Sequence, residues 1–155
     1  MNKINKSCFF IGHRDSPEVV KPLLLDHIQK HIIEYGVTKF YVGHYGQFDA
    51  MVISALSDMK KRYPHIENSL LLAYHPAVRS VTKPDGFDDT LLIDGQEKAP
   101  PRFAITRLNR QMINDVDYLI AYVRVVTDGS HKLFDTAKAK AKKGKLVITN
   151  LAELL

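Results

Sequence analysis

The chain has 155 residues, 45% hydrophobic and 25% charged, with a formal net charge of +5. This is an ordinary soluble composition, long enough for one domain with a real core, and its basic balance favours anionic partners only weakly. No stretch approaches the roughly 18 consecutive apolar residues of a membrane span, and the apolar run after the basic segment Met1–Lys6 is too short for a secretory signal, so a cytoplasmic protein without membrane contact is expected. The single cysteine, Cys8, excludes an internal disulfide, agrees with a reducing compartment, and is expected as a buried thiol within a strand.

The first predicted strand, Cys8-Phe9-Phe10-Ile11, is a continuous apolar run that breaks at Gly12-His13-Arg14. Such a run reads as a strand buried on both faces, as in a parallel sheet covered by helices. Pro17 and Glu18 open a helix with Val20, Leu24, Ile28, Ile32 and Tyr35 at helical spacing, ending at Gly36. A second strand from Lys39 to Val42 breaks at Gly43-His44-Tyr45-Gly46-Gln47-Phe48-Asp49, and the helix after it carries Val52, Ala55, Leu56, Met59 and Tyr63 before Pro64. The third strand is expected at Leu70–Tyr74. Residues 77 to 101 then break the rhythm with Pro84-Asp85-Gly86, Asp94-Gly95 and Pro100-Pro101, and are expected as a lid-like insert at a strand's carboxyl end. A helix from about Arg102 to Asn114, a strand from Tyr118 to Val126, a helix from about Ser130 to Lys143 and a strand at Leu146–Ile148 complete the alternation. The expected architecture is a single α/β domain over residues 1–155, with a mostly parallel five-stranded sheet and helices on both faces.

In such sheets ligands sit beyond the carboxyl ends of the strands, where the glycine turns fall. Glycine lets backbone approach a ligand closely, and the following helix offers free N–H groups to an anion. Arg14 suits bidentate contact with a phosphate or carboxylate. The spacing Gly43-x-x-Gly46 is neither a dinucleotide fingerprint nor a P-loop, and its signal comes from its place between a buried strand and an amphipathic helix. Asp49 stands either to cap that helix or to accept hydrogen bonds from a ribose. After the fourth strand, Gly129 and Ser130 offer a further N–H and hydroxyl to a phosphate, with helix capping by Ser130 as the alternative. His13, His44 and His75 each follow a different strand end. Without a carboxylate or cysteine at motif spacing, ligand contact or exposure is expected of them rather than metal binding. Lys138, Lys140, Lys142, Lys143 and Lys145 read as a solvated helix end that complements the helix dipole; the rival nucleic-acid patch lacks interleaved aromatics.

Three stretches together resemble the SLOG superfamily, and within it the small bacterial YpsA-like proteins. They are the opening strand with Gly12-His13-Arg14, the turn Gly43-x-x-Gly46-x-Phe48-Asp49, and Pro101-Arg102-Phe103-Ala104-Ile105 leading to Asn109-Arg110-Gln111-Met112-Ile113. The resemblance covers nearly the whole chain. It implies a Rossmann-like, doubly wound fold that binds a nucleotide or nucleotide-derived ligand at the strand ends without a cofactor. It places Gly12, Arg14, Gly43, Gly46, Asp49, Asn109 and Arg110 in the site, with His13, Gln47 and Phe48 beside them in the same turns. It also marks Glu97 as a recurring acidic position.

The Pro-Gly-Gly-x-Gly-Thr-x-x-Glu stretch of the related LOG phosphoribohydrolases is missing, and Asp128 stands where relatives often carry glycine. The leading expectation is therefore a binding module. The alternatives are a nucleotide N-glycosidase, with Glu97 or Asp49 as the catalytic carboxylate, and a nucleic-acid binder of the DprA kind. Self-association into a homo-oligomer is left open.

Overall fold

The computed structural model describes residues 5–124 and 130–155, with the side chains of Ser130 and His131 outside the description. Six strands, β1 (Lys6–Gly12), β2 (Val37–Val42), β3 (Glu67–Leu71), β4 (Asp89–Leu91), β5 (Tyr118–Tyr122) and β6 (Val147–Asn150), form one sheet in the order β4-β3-β2-β1-β5-β6. Every pairing is parallel. The helices are α1 (Val20–Ile33), α2 (Gln47–Arg62), α3 (Ala104–Asp115) and α4 (Ser130–Lys142).

Residue alternation along β1 decides the layering. Cys8 and Phe10 point into a core with Val20, Leu24 and Ile28 of α1 and Val52, Ala55 and Leu56 of α2. Phe9 and Ile11 point the other way, against Leu108 and Met112 of α3 and Phe134 and Ala137 of α4. A strand covered on both faces needs an unbroken apolar run, and Cys8, Phe9, Phe10 and Ile11 are all buried. Burial also pushes the Cys8 thiol well above the ordinary thiol range, which leaves it protonated and unreactive. Right-handed crossovers put α1 and α2 on one face while the chain steps outward from β1, and α3 and α4 on the other after it returns to lay β5 on β1's free side. The result is a Rossmann-like, doubly wound sheet whose topological switch lies between β1 and β5. Among the described residues no helix is long and apolar enough to cross a membrane.

The sheet has six strands rather than the expected five because the insert contributes one. Asp89–Leu91 lies along the outer side of β3, and the Leu72 N–H donates to the Leu91 carbonyl at 2.9 Å. The segment before it is clasped to α2 and β3. Buried Asn68 donates to the carbonyls of Leu56 and Gly86, the Asp88 carboxylate accepts from the Asn68 N–H at 2.8 Å and pairs with Lys60, and Phe87 is buried in the α1–α2 core. Farther on, the buried Gln96 amide donates to the carbonyls of Ala73 and Ala104 while its oxygen accepts from Arg107 at 2.8 Å. The insert is thus sewn to the sheet edge by an edge strand and two anchors.

Element boundaries differ from expectation in instructive places. Residues 17–19 form a turn, and α1 begins at Val20. The third strand ends at Leu71 rather than Tyr74 and starts earlier, at Glu67, where Asn68 ties it to the insert. α3 is preceded by a 3-10 turn at Pro101–Phe103, and its far end is closed by the Lys140 ammonium, which donates to the carbonyls of Ile113, Asn114 and Val116 at 2.8 Å each.

Candidate functional site

A cavity of about 550 Å³ opens at the carboxyl ends of β1 and β2. It is lined by Phe10, Ile11, Gly12, Arg14 and Asp15 from β1 and its turn, by Gly43, Tyr45, Gly46 and Asp49 from the β2–α2 turn, and by Ile105, Thr106, Asn109 and Leu133 from α3 and α4. The two glycine turns are joined to each other: the Gln47 N–H donates to the Arg14 carbonyl at 3.0 Å. That bond starts α2 directly beside Arg14, so the guanidinium and the helix's first turn serve one opening. Gly46 at the α2 N-cap is extended, and a Cβ there would meet the Arg14 Cα and Cγ at 3.4 Å, in ordinary van der Waals contact.

Gly12 has a similar but stronger reason to be glycine. A Cβ on it would stand 2.3 Å from the Phe48 Cγ. Phe48 is 1% exposed and packs its ring on Tyr122. The glycine therefore lets the first turn of α2 press onto the end of β1, a packing role in addition to its place in the cavity wall. Phe48, expected as a ligand contact, is core.

Asp49 occupies the third position of α2 and reaches back to accept from the N–H of Tyr45, in the turn before the helix, at 3.1 Å. Its carboxylate also faces the cavity, beneath Gly43, where a Cβ would lie 3.3 Å from its Oδ2. Desolvation outweighs that hydrogen bond and raises the carboxyl from the usual range to about 6. Tyr45, over which His44 is tilted, also receives a 2.5 Å hydrogen bond at its hydroxyl from the Ala73 N–H, so the β2 turn is fixed to the end of β3. Burial raises the Tyr45 phenol and lowers the His44 imidazole, leaving both neutral at pH 7.

The expected residues divide. Gly12, Arg14, Gly43, Gly46, Asp49 and Asn109 come together around the cavity. His13 is buried behind it, where Nε2 accepts from the Arg124 N–H at 2.9 Å, so that ring nitrogen is the unprotonated one and the β1 turn is tied to the chain leaving β5. Gln47 is exposed and outside the lining. Arg110 lies on another face of α3 and lines a different groove. Glu97 is exposed and outside the lining, while its neighbour Gln96 carries the buried contacts. Gly129 lies outside the described residues, as does the Ser130 side chain.

His13, His44 and His75 do not gather, and among the described residues no group of three His, Cys, Asp or Glu side chains is placed to hold a metal ion. The lining residues not anticipated as site residues are Phe10, Ile11, Asp15, Tyr45, Ile105, Thr106 and Leu133. Ile105 and Asn109, at i and i+4 of α3, share the face that lines the cavity. No protein-family model matches the chain, and no curated protein matches it.

Proposed function

We propose that the chain binds a nucleotide or nucleotide-derived small molecule in the cavity at the ends of β1 and β2. The observation that carries the reading is the sharing of one opening by the Arg14 guanidinium, the N-terminal turn of α2 and the Asp49 carboxyl. An N-terminal helix turn and an arginine suit an anionic group. A carboxylate and the Asn109 amide suit the hydroxyl and amino groups of a ribose and base. The volume of about 550 Å³ falls within the range of small-molecule sites. The resemblance of the glycine turns to YpsA-like SLOG proteins supports the same ligand class.

Thermal unfolding against a panel of nucleotides, cyclic nucleotides and ADP-ribose derivatives tests the reading. A ligand at about a hundred times its Kd adds roughly 2.7 kcal/mol, several degrees for a domain of this size. Arg14→Ala is expected to weaken the active compound about tenfold, the value of one charge-assisted hydrogen bond. A panel without any shift removes the proposal.

A second reading, N-glycoside cleavage, is favoured by the Asp49 carboxyl alone: a group held at about 6 within the cavity is poised to trade a proton near neutral pH. Release of free base from nucleoside monophosphates, followed by chromatography, separates it from simple binding. Loss of product in Asp49→Asn with Glu97→Gln unaffected is the expected pattern for catalysis in this cavity; equal release by wild type and Asp49→Asn ends it.

A further inference from the structure

We infer that the groove between α3 and α4 is a binding surface for single-stranded nucleic acid, separate from the strand-end cavity. The groove encloses about 1200 Å³, and its charged lining is entirely basic: Arg107, Arg110, Lys132, Lys140, Lys143 and Lys145. Two of these cations are occupied internally. Arg107 holds Gln96 and the Asp94 carbonyl, and Lys140 closes the end of α3. The other four, Arg110, Lys132, Lys143 and Lys145, are exposed and make no ion pair among the described residues.

Helix-dipole complementation accounts for Lys143, just past the end of α4, and for Lys145 beyond it, but not for the other two. Lys132 sits in the first turn of α4, where a positive charge opposes the dipole, and Arg110 is in the middle of α3. Unpaired like charges facing one groove repel one another until an anion neutralises them. The aromatic component that the sequence lacked near the lysines comes from elsewhere in the chain. Phe103, 51% exposed, stands on the groove wall with the Arg102 guanidinium 4.7 Å over its ring. Backbone-tracking cations with an exposed aromatic platform are the two components of sequence-tolerant single-strand binding.

Fluorescence anisotropy with labelled oligo(U) and oligo(dT) of about 12 nucleotides tests this at several salt concentrations. Four phosphate contacts on a single strand give a slope of about −3 in log affinity against log salt, a loss of roughly 50-fold between about 50 and 200 mM. Lys132→Glu combined with Lys143→Glu is expected to weaken binding at least tenfold, and the milder Arg110→Gln to flatten the slope; both are surface changes whose folding is checked by circular dichroism. Phe103→Ala is expected to cost about fivefold with the slope unchanged. Binding of either polymer with this pattern supports the inference, and the tighter one names the sugar. It is overturned by a slope shallower than about −1, by charge reversal without effect, by equal affinity for acidic lipid vesicles, or by loss of oligonucleotide binding in Arg14→Ala, which would move the contact to the strand-end cavity.

Discussion

Gly12→Ala is expected to destabilise the protein by about 3 kcal/mol, the upper part of the range for overpacking a core. The added Cβ would lie 2.3, 2.5 and 2.8 Å from three Phe48 atoms, one of them the Phe48 Cβ, which no rotamer change can move away. Phe48 is enclosed on all sides, so relief must come from the backbone: the first turn of α2 has to lift off β1. That shift strains the bond from the Gln47 N–H to the Arg14 carbonyl and displaces Asp49, so the cavity wall loosens together with the fold. Urea denaturation measures the loss. Because the clash is pairwise, Phe48→Leu should restore part of it, giving a coupling energy of about 1 kcal/mol or more in a double-mutant cycle. A Gly12→Ala protein within 0.5 kcal/mol of wild type, roughly the level of a neutral surface change, would refute the packing role.

That glycine also shows how far the sequence is readable. The run Cys8–Ile11 with its glycine break located β1, because a doubly covered strand has to be apolar at every position, and a cavity opens beyond it. The reason for the glycine was hidden, since it depends on Phe48 in another element. β4 was hidden for a related reason. Asp89–Leu91 is a short edge strand with two exposed residues, so it carries no buried alternation; its determinants are Asn68 and Lys60, held on β3 and α2. Glu97 and Gln96 differ in burial because a short 3-10 turn presents one side chain inward and its neighbour outward, a choice that periodicity over three residues cannot resolve.

Asn109 and Arg110, expected together in one site, line different openings. Adjacent helical residues project about 100° apart, so one faces the cavity and the other the α3–α4 groove. The same division separates the two proposals, a cavity lined by Arg14, Asp15 and Asp49 on one side of α3 and a cationic groove on the other. Thr106 borders both.

Asp49→Asn is expected to stabilise the protein by about 2 kcal/mol at pH 7.5 and to have little effect near pH 4. A carboxyl raised to about 6 in the folded state, from 3.8, binds its proton more tightly there than in the unfolded chain. Its contribution to stability is then fully present below about pH 4, falls as pH rises toward 6, and is constant above that. The full difference between those two values approaches 3 kcal/mol, and partial exposure of the side chain reduces it to about 2. Asparagine keeps an oxygen to accept from the Tyr45 N–H, so the turn is preserved while the desolvated charge is removed. Denaturation midpoints at pH 4 and 7.5 measure the change, and a variant that gains equally at both pH values would show that desolvation of the carboxylate is not its cause. A ligand whose hydroxyl or amino groups donate to Asp49 would favour the charged form. Its affinity is expected to rise as pH increases through 6 in the wild type, and to lose that dependence in Asp49→Asn. Under the proposed binding reading, the stability spent on a desolvated carboxylate in the cavity wall is offset by what that carboxylate would bind, because asparagine would serve the turn equally well.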